Sequence, residues 1–366
     1  MPSQGSCCWR NTQALRYPPK IAQHGKEIGP IKSTAHRGEK RAGYDSVVAS
    51  ADTSVTKTSL STKFTYKVGA MNIAQLETLN YPPLTRDLDE AMAHLDKYGM
   101  ALIENVLTSE EIEEMDQRLN EQFLGEEKYQ VGSKVRGDEG LGVQSSEEEK
   151  VSRLVWNLIN KGDCFLKLID HPKILPLIQH LIGERVCLCS IGAHMNGSGN
   201  ERMPLHQDQW PLVPHPMDFP FMANVMYLIS DNSPENGGTR LIPGSHKWPL
   251  LDYKTANSEE IQSKAVSLTA PKGTAIVWEG RLWHGNGLNR SGALRSNIST
   301  AFLQPWVKPQ ENHPYSVRAE VVDKITEQQK NILGFSPFGT LGGHDGSSVS
   351  SANFNPNKES IGILKP

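Results

Sequence analysis

Asn236-Gly237-Gly238-Thr239-Arg240-Leu241-Ile242-Pro243-Gly244-Ser245 encloses a four-residue β-favouring run between two turn signals. The glycines are followed by no Lys-Ser/Thr pair and no long helical pattern, so the segment reads as a turn and not as a phosphate-binding loop. The same grammar repeats on both sides. Val186–Met195, Phe221–Ile229, Ala265–Leu268, Thr274–Trp278 and Leu294–Leu303 are further short runs, with Lys272-Gly273 and Ser291-Gly292 among their separators. Many short strands with Gly/Pro turns predict a sandwich or jelly roll.

Upstream the pattern is helical. Leu88, Ala91, Met92, Leu95 and Tyr98 fall on one face, and Gly99 is a natural stop. Met100–Val106 reads as a strand. Thr108 and Glu111 form a capping box ahead of Ile112, Met115, Leu119 and Phe123. Gly125–Lys150 reads as a polar loop or lid. Further helices are expected over Val151–Asn160 and from Pro172 to Gly183. The fold class is therefore α+β with a mainly β core and flanking N-terminal helices.

The two ends differ from this body. Residues 1–70 are basic, then Ser/Thr-rich, and read either as a disordered extension or as an organelle-targeting segment. Residues 71–333 are expected to form a single domain with its β core at about 185–305. Residues 334–366 read as a loosely ordered tail. The whole chain of 366 residues would otherwise suggest two to three domains.

With 22% charged residues and a net charge of -3, a strongly basic nucleic-acid binder is not expected, a local basic patch being left open, and no apolar run is long enough to span a membrane. Five cysteines, without a C-x-x-C pair, argue against a disulfide scaffold or a structural zinc site. The expected location is intracellular and cytoplasmic, so the sequons at Asn196, Asn289 and Asn297 read as chance matches. The oligomeric state is not encoded in any readable way.

The chemical signal lies among the strands. His206-Gln207-Asp208 puts an imidazole and a carboxylate at i and i+2, on one face if the segment is extended. A third ligand must come from elsewhere, and His284 is the candidate. Two histidines and one carboxylate form the facial triad of non-haem Fe(II) oxygenases, which leaves positions open for co-substrate and dioxygen. H-x-D alone is a common pattern and also describes a surface histidine beside a turn. Arg295, on the next strand, adds weight: facing inward it needs an anionic partner, facing outward it is an ordinary surface arginine.

His206-x-Asp208, the stretch Glu235–His246, and Trp283-His284 with Arg295 together resemble the phytanoyl-CoA dioxygenase (PhyH) family. The resemblance covers roughly residues 84–314, including Gly162 and the His171-Pro172 pair. It implies a double-stranded β-helix of the jelly-roll or cupin-like type. It also implies Fe(II), with 2-oxoglutarate and dioxygen as co-substrates, and oxidation of a small organic molecule by hydroxylation or desaturation with release of succinate and CO2. By position, His206, Asp208 and His284 would bind iron and Arg295 would anchor 2-oxoglutarate. Thr239 and Asn286 would be further co-substrate contacts. Some members carry Gln two residues before the first ligand, where this chain has Pro204. Two rival readings are a cupin-like metalloenzyme that does not use 2-oxoglutarate and a non-catalytic β-helix binding protein.

Several neighbours have two readings each. Trp210, Trp278 and Trp283 are either pocket walls or core. His194, His215 and His246 are either site groups or structural histidines. The polar segment 195–204 is placed to contact a substrate.

Overall fold

The computed structural model describes residues 76–77, 79–135, 152–197, 203–209, 219–249 and 251–342. They belong to the compact unit Val68–Pro366. The basic leader, residues 136–151, residues 198–202 of the segment read as a substrate contact, Trp210, His215 and the tail beyond 342 lie outside the described residues.

Strand β1 (Leu84–Thr85) leads into helix α1 (Leu88–Tyr98). The Asp87 carboxylate accepts the Glu90 backbone N–H at 2.9 Å, and Gly99 ends the helix with φ 73°. A Cβ at Gly99 would strike His246, so glycine is required there both for its backbone angle and for space. Strand β2 (Met100–Ile103) follows, then helix α2 (Ser109–Tyr129). The predicted capping box forms in both directions between Thr108 and Glu111. Helix α2 runs on through Gly125 to Tyr129, and strand β3 (Ser133–Val135) follows, so the expected polar loop does not begin at Gly125.

The helix expected over Val151–Asn160 is not there. Ser152–Trp156 is strand β4, followed by a 3-10 turn at Leu158–Asn160. The reason is tertiary: Arg153 to Trp156 pair with Met195 to Gly192. Asn157 then takes a left-handed φ of 52°, which breaks the run. Pro172 precedes the next helix and does not open it. Helix α3 spans Leu175–Ile182, with Pro176 in its first turn and Gly183 at its end.

The remaining strands are β5 (Cys187–Asn196), β6 (Met222–Leu228), β7 (Thr239–Leu241), β8 (Val266–Ser267), β9 (Ala275–Glu279), β10 (His284–Asn286) and β11 (Arg295–Leu303). All but β10 follow the predicted runs. They assemble into an eight-stranded sheet, ordered β1-β2-β9-β6-β11-β5-β4-β3, and a three-stranded sheet, ordered β10-β7-β8. Within the large sheet β2, β9, β6, β11, β5, β4 and β3 pair antiparallel in turn. These are the two sheets of the predicted jelly roll, and they do not close into a barrel.

The large sheet is two-faced. Val155, Ile191, Ala193, Ala223, Val225, Tyr227, Val277, Ile298 and Phe302 pack against Ala91, Leu95, Met115, Leu119, Leu177 and Ile178 of the helices. Successive strand side chains alternate between faces, so the intervening residues point to the opposite side. There Ser190, Gly192, His194, Asn224, Met226 and Asn297 line a cavity. Three short helices after β11, at His313–Ser316, Ala319–Val322 and Glu327–Ile332, send Val321 and Ile332 into the helical core. The buried Asn196, Asn289 and Asn297 are closed to glycosylation in this fold. Among the described residues, no helix is long and apolar enough to cross a membrane.

Candidate active site

The cavity holds about 360 Å³ and is bounded by both sheets. His206, Asp208 and His284 sit on its wall, with one ligand atom from each falling within 4.8 Å of the others. His206 is not in a long strand. It makes an isolated antiparallel bridge to His284, with His206 N–H donating to the His284 carbonyl at 2.9 Å and the reverse bond at 3.0 Å. This brings the rings to 4.3 Å between centroids. Gly285 permits the approach, because a Cβ there would meet the Met203 and Pro204 carbonyl oxygens at 2.9 and 3.0 Å.

The i, i+2 spacing works as expected even without a continuous strand. The Asp208 Oδ1 lies 3.4 Å from His206 Nε2, and Oδ2 lies 3.2 Å from His284 Nε2. Gln207 points the other way and donates to the Arg281 carbonyl. Gln209 fastens the end of the segment by donating to Phe219 O at 3.1 Å and accepting from Phe221 N at 3.0 Å. Both imidazoles turn Nδ1 towards a backbone carbonyl, of Pro204 at 3.2 Å for His206 and of Leu282 at 3.0 Å for His284. A carbonyl only accepts, so Nδ1 carries the proton and Nε2 keeps its lone pair for a metal. Pro204, which has no side-chain donor, thus acts here through its backbone oxygen.

Burial would raise the Asp208 carboxyl, but the attraction of His284 and the bond and charge of His206 outweigh it and hold it down at about 2. His284 is pushed down to about 4 by burial, against the pull of Asp208. His206 moves upward, because the hydrogen bond and charge of Asp208 together exceed the effect of burial. The result is a charged acceptor flanked by two imidazoles.

Arg295 begins β11 and shares the pleat face of Asn297, Ser299 and Ala301, which line the cavity. It is only 1% exposed. One Nη2 donates to Asn286 Oδ1 at 3.2 Å, while Nε and Nη1 have no partner. Burial alone lowers its pKa to about 10. No carboxylate pairs with it among the described residues. Unused guanidinium donors this deeply buried call for an anion.

Asn286 lines the cavity and supports Arg295. Thr239, also a lining residue, places its hydroxyl 3.2 Å from Met226 Sδ. His194 lines the cavity, edge-on to Trp156, and burial with the nearby Arg295 charge pushes it down to about 4. Trp278 lines the cavity, with its ring 5.1 Å from that of His284. Trp283 is core, packed with Leu205 and Ile242. His246 is buried beside Gly99, away from the cavity.

Sequence reasoning missed Ser152, Leu154 and Trp156 as lining residues, because β4 reads as a helix. It also missed Met222, Asn224 and Met226, whose i, i+2 spacing on a predicted strand was an available signal. Asn224 Nδ2 donates to Asp208 Oδ2 at 3.0 Å.

The chain is similar to several known proteins. The chain is 27% identical over 258 residues to dioxygenase af480 of Aspergillus fumigatus, covering 70% of this chain and 80% of that one. It is 25% identical over 273 residues to dioxygenase andF of Emericella variicolor, covering 70% and 88%. Among solved structures, HygX from Streptomyces hygroscopicus, with nickel, 2-oxoglutarate and hygromycin B bound, is 16% identical with a TM-score of 0.46, covering 60% of this chain and 88% of that one. The family model for phytanoyl-CoA dioxygenase matches residues 95–297, more than half of the chain, and His206, Asp208, His284 and Arg295 all fall within it. The chain belongs to the phytanoyl-CoA dioxygenase (PhyH) family of Fe(II)- and 2-oxoglutarate-dependent dioxygenases.

Proposed function

We propose that the chain oxidises a C–H bond of a small organic molecule, by hydroxylation or desaturation, at the cavity wall formed by His206, Asp208 and His284. The donor set suits iron: two imidazole Nε2 atoms and one carboxylate, all within 4.8 Å of one another. These three residues would hold Fe(II). When bound, iron with 2-oxoglutarate and dioxygen supplies the oxidising power, and the co-substrate leaves as succinate and CO2.

The residues of the chain do the positioning. The carbonyls of Pro204 and Leu282 keep the two imidazoles in the tautomer that binds metal. Arg295, steadied by Asn286, takes the distal carboxylate of 2-oxoglutarate with its spare donors. Asn286 and Thr239 border the co-substrate. Trp156, Met222 and Met226 give the substrate an apolar wall that excludes water from the reacting carbon.

The single observation that carries the reading is a buried Arg295 with two unpartnered nitrogens, bonded to Asn286 on the strand that carries His284 of the converged two-histidine, one-carboxylate cluster. The burial of Arg295 favours this reading over a cupin-like metalloenzyme that does not use 2-oxoglutarate. The test is anaerobic Fe(II)-dependent binding of 2-oxoglutarate, followed by succinate release when a metabolite library is supplied with oxygen. Succinate formation that needs Fe(II) and rises with one class of metabolite is expected. Absence of metal-dependent 2-oxoglutarate binding, with no succinate under any condition, overturns the proposal.

A further inference from the structure

We infer that Asn224 is a positioning residue that commits Asp208 to bind metal through one oxygen only. The inference rests on the reading of His206, Asp208 and His284 as iron ligands.

Asn224 lies at the middle of β6, and its position is fixed from both sides. It pairs with Trp278 on β9 and with Ala301 on β11, both of which line the cavity. Its chain neighbours Ala223 and Val225 are fully buried in the helical core on the opposite face. The amide therefore has little freedom to leave the cavity wall. It is 6% exposed, and Nδ2 meets Asp208 Oδ2 at 3.0 Å.

The orientation of the amide follows from its partner. An ionised carboxylate only accepts, so Asn224 must turn its nitrogen and not its oxygen towards Asp208. The two oxygens of Asp208 then differ. Oδ2 receives the amide N–H and lies 3.2 Å from His284 Nε2, whereas Oδ1 lies beside His206 Nε2 at 3.4 Å and has no amide donor. A hydrogen bond on one oxygen draws off its electron density and its freedom to swing. The other oxygen is left as the ligand atom. Without the amide, a free carboxylate can chelate through both oxygens and occupy a position that the co-substrate or dioxygen needs. Partners of this kind orient metal ligands and tune their basicity.

The experiment titrates Co(II), as a probe for Fe(II), into the purified metal-free full-length chain under anaerobic conditions. Affinity is read by calorimetry and coordination by the visible absorption of the metal. Four proteins are compared: wild type, Asn224→Leu, Asn224→Ala and His206→Ala, each checked for native circular dichroism. Leu fills the space without a donor, and Ala leaves the space open, so a packing defect and a lost hydrogen bond separate. Both Asn224 variants are expected to bind Co(II) about 10- to 100-fold more weakly. Both should also shift the visible bands as the carboxylate changes its mode of binding. Wild-type affinity and an unchanged spectrum in both Asn224 variants overturn the inference while leaving the iron site standing. A wild type that binds Co(II) no more tightly than His206→Ala overturns the iron site and this inference with it.

Discussion

His206 and His284 exchange two backbone hydrogen bonds, at 2.9 and 3.0 Å, and this two-residue bridge sets their side chains ring to ring. The geometry of the proposed metal site is therefore a property of the backbone before it is one of the side chains. Gly285→Val should separate the bridge, since its branched side chain would press on the Met203 and Pro204 carbonyls. Overpacking of this kind costs about 1–3 kcal/mol. The expected outcome is a folded protein with about 10-fold or weaker metal affinity, measured by the same Co(II) titration. Loss of metal binding is expected to be complete in His206→Ala.

Arg295 should divide co-substrate binding from metal binding. Arg295→Ala is expected to weaken 2-oxoglutarate roughly 10- to 100-fold, because charge-assisted hydrogen bonds contribute about 1.5–3 kcal/mol each. Iron affinity should change little. Equilibrium binding of 2-oxoglutarate and of metal, measured separately, checks both parts.

The same arginine should be a burden to the ligand-free protein. Its Nε and Nη1 are buried without partners. Arg295→Met keeps most of the volume and removes the charge. It is expected to raise the melting temperature of the free protein by about 2 °C or more. It should also remove the extra stability that 2-oxoglutarate gives the wild type. Thermal melts with and without co-substrate decide this.

Acid should destabilise the fold through histidines remote from the cavity. Burial pushes His246 and His313 down to about 4. The unfolded chain takes up these protons near pH 6.5, so between about pH 6.5 and 4 it binds more protons than the folded one. Stability then rises with pH in this window and is lost as pH falls through it, by up to about 1.4 kcal/mol per pH unit for each histidine. Urea denaturation at pH 7 and pH 5 measures the loss, and His246→Gln or His313→Gln should shrink it.

Glu311 joins the segment after β11 to the large sheet. Its carboxylate accepts the backbone N–H of Asn157 at 2.9 Å and of Ile191 at 3.1 Å. Glu311→Leu leaves both donors unpaired and should reduce stability by about 2–4 kcal/mol. Urea denaturation at neutral pH is the check.

The strands from β5 onward, β10 excepted, were legible because β-favouring runs stand between Gly and Pro turns, and the ligand candidates because His206 and Asp208 sit two apart on such a background. Strand β4 was not legible. Ser152-Arg153-Leu154-Val155-Trp156 has no apolar alternation, and its extended form depends on pairing with distant β5. Strand β10 was equally silent, since His284-Gly285-Asn286 has no β preference of its own and is drawn out by Leu241 to Thr239. The unpaired donors of Arg295 and the contact of Asn224 with Asp208 are facts of three-dimensional proximity. No local pattern carries them.

Strand β10 is only three residues long, and it bears His284 at one end and Asn286, the support of Arg295, at the other. Under the proposed roles it is a ruler laid between iron and 2-oxoglutarate, since residues two apart on a strand share a face at a fixed spacing. A slip of one residue would turn both marks away from the cavity together. Drift in one half of the site is thereby made to spoil the other half as well, so the chain is poorly placed to keep a metal centre that has lost its co-substrate.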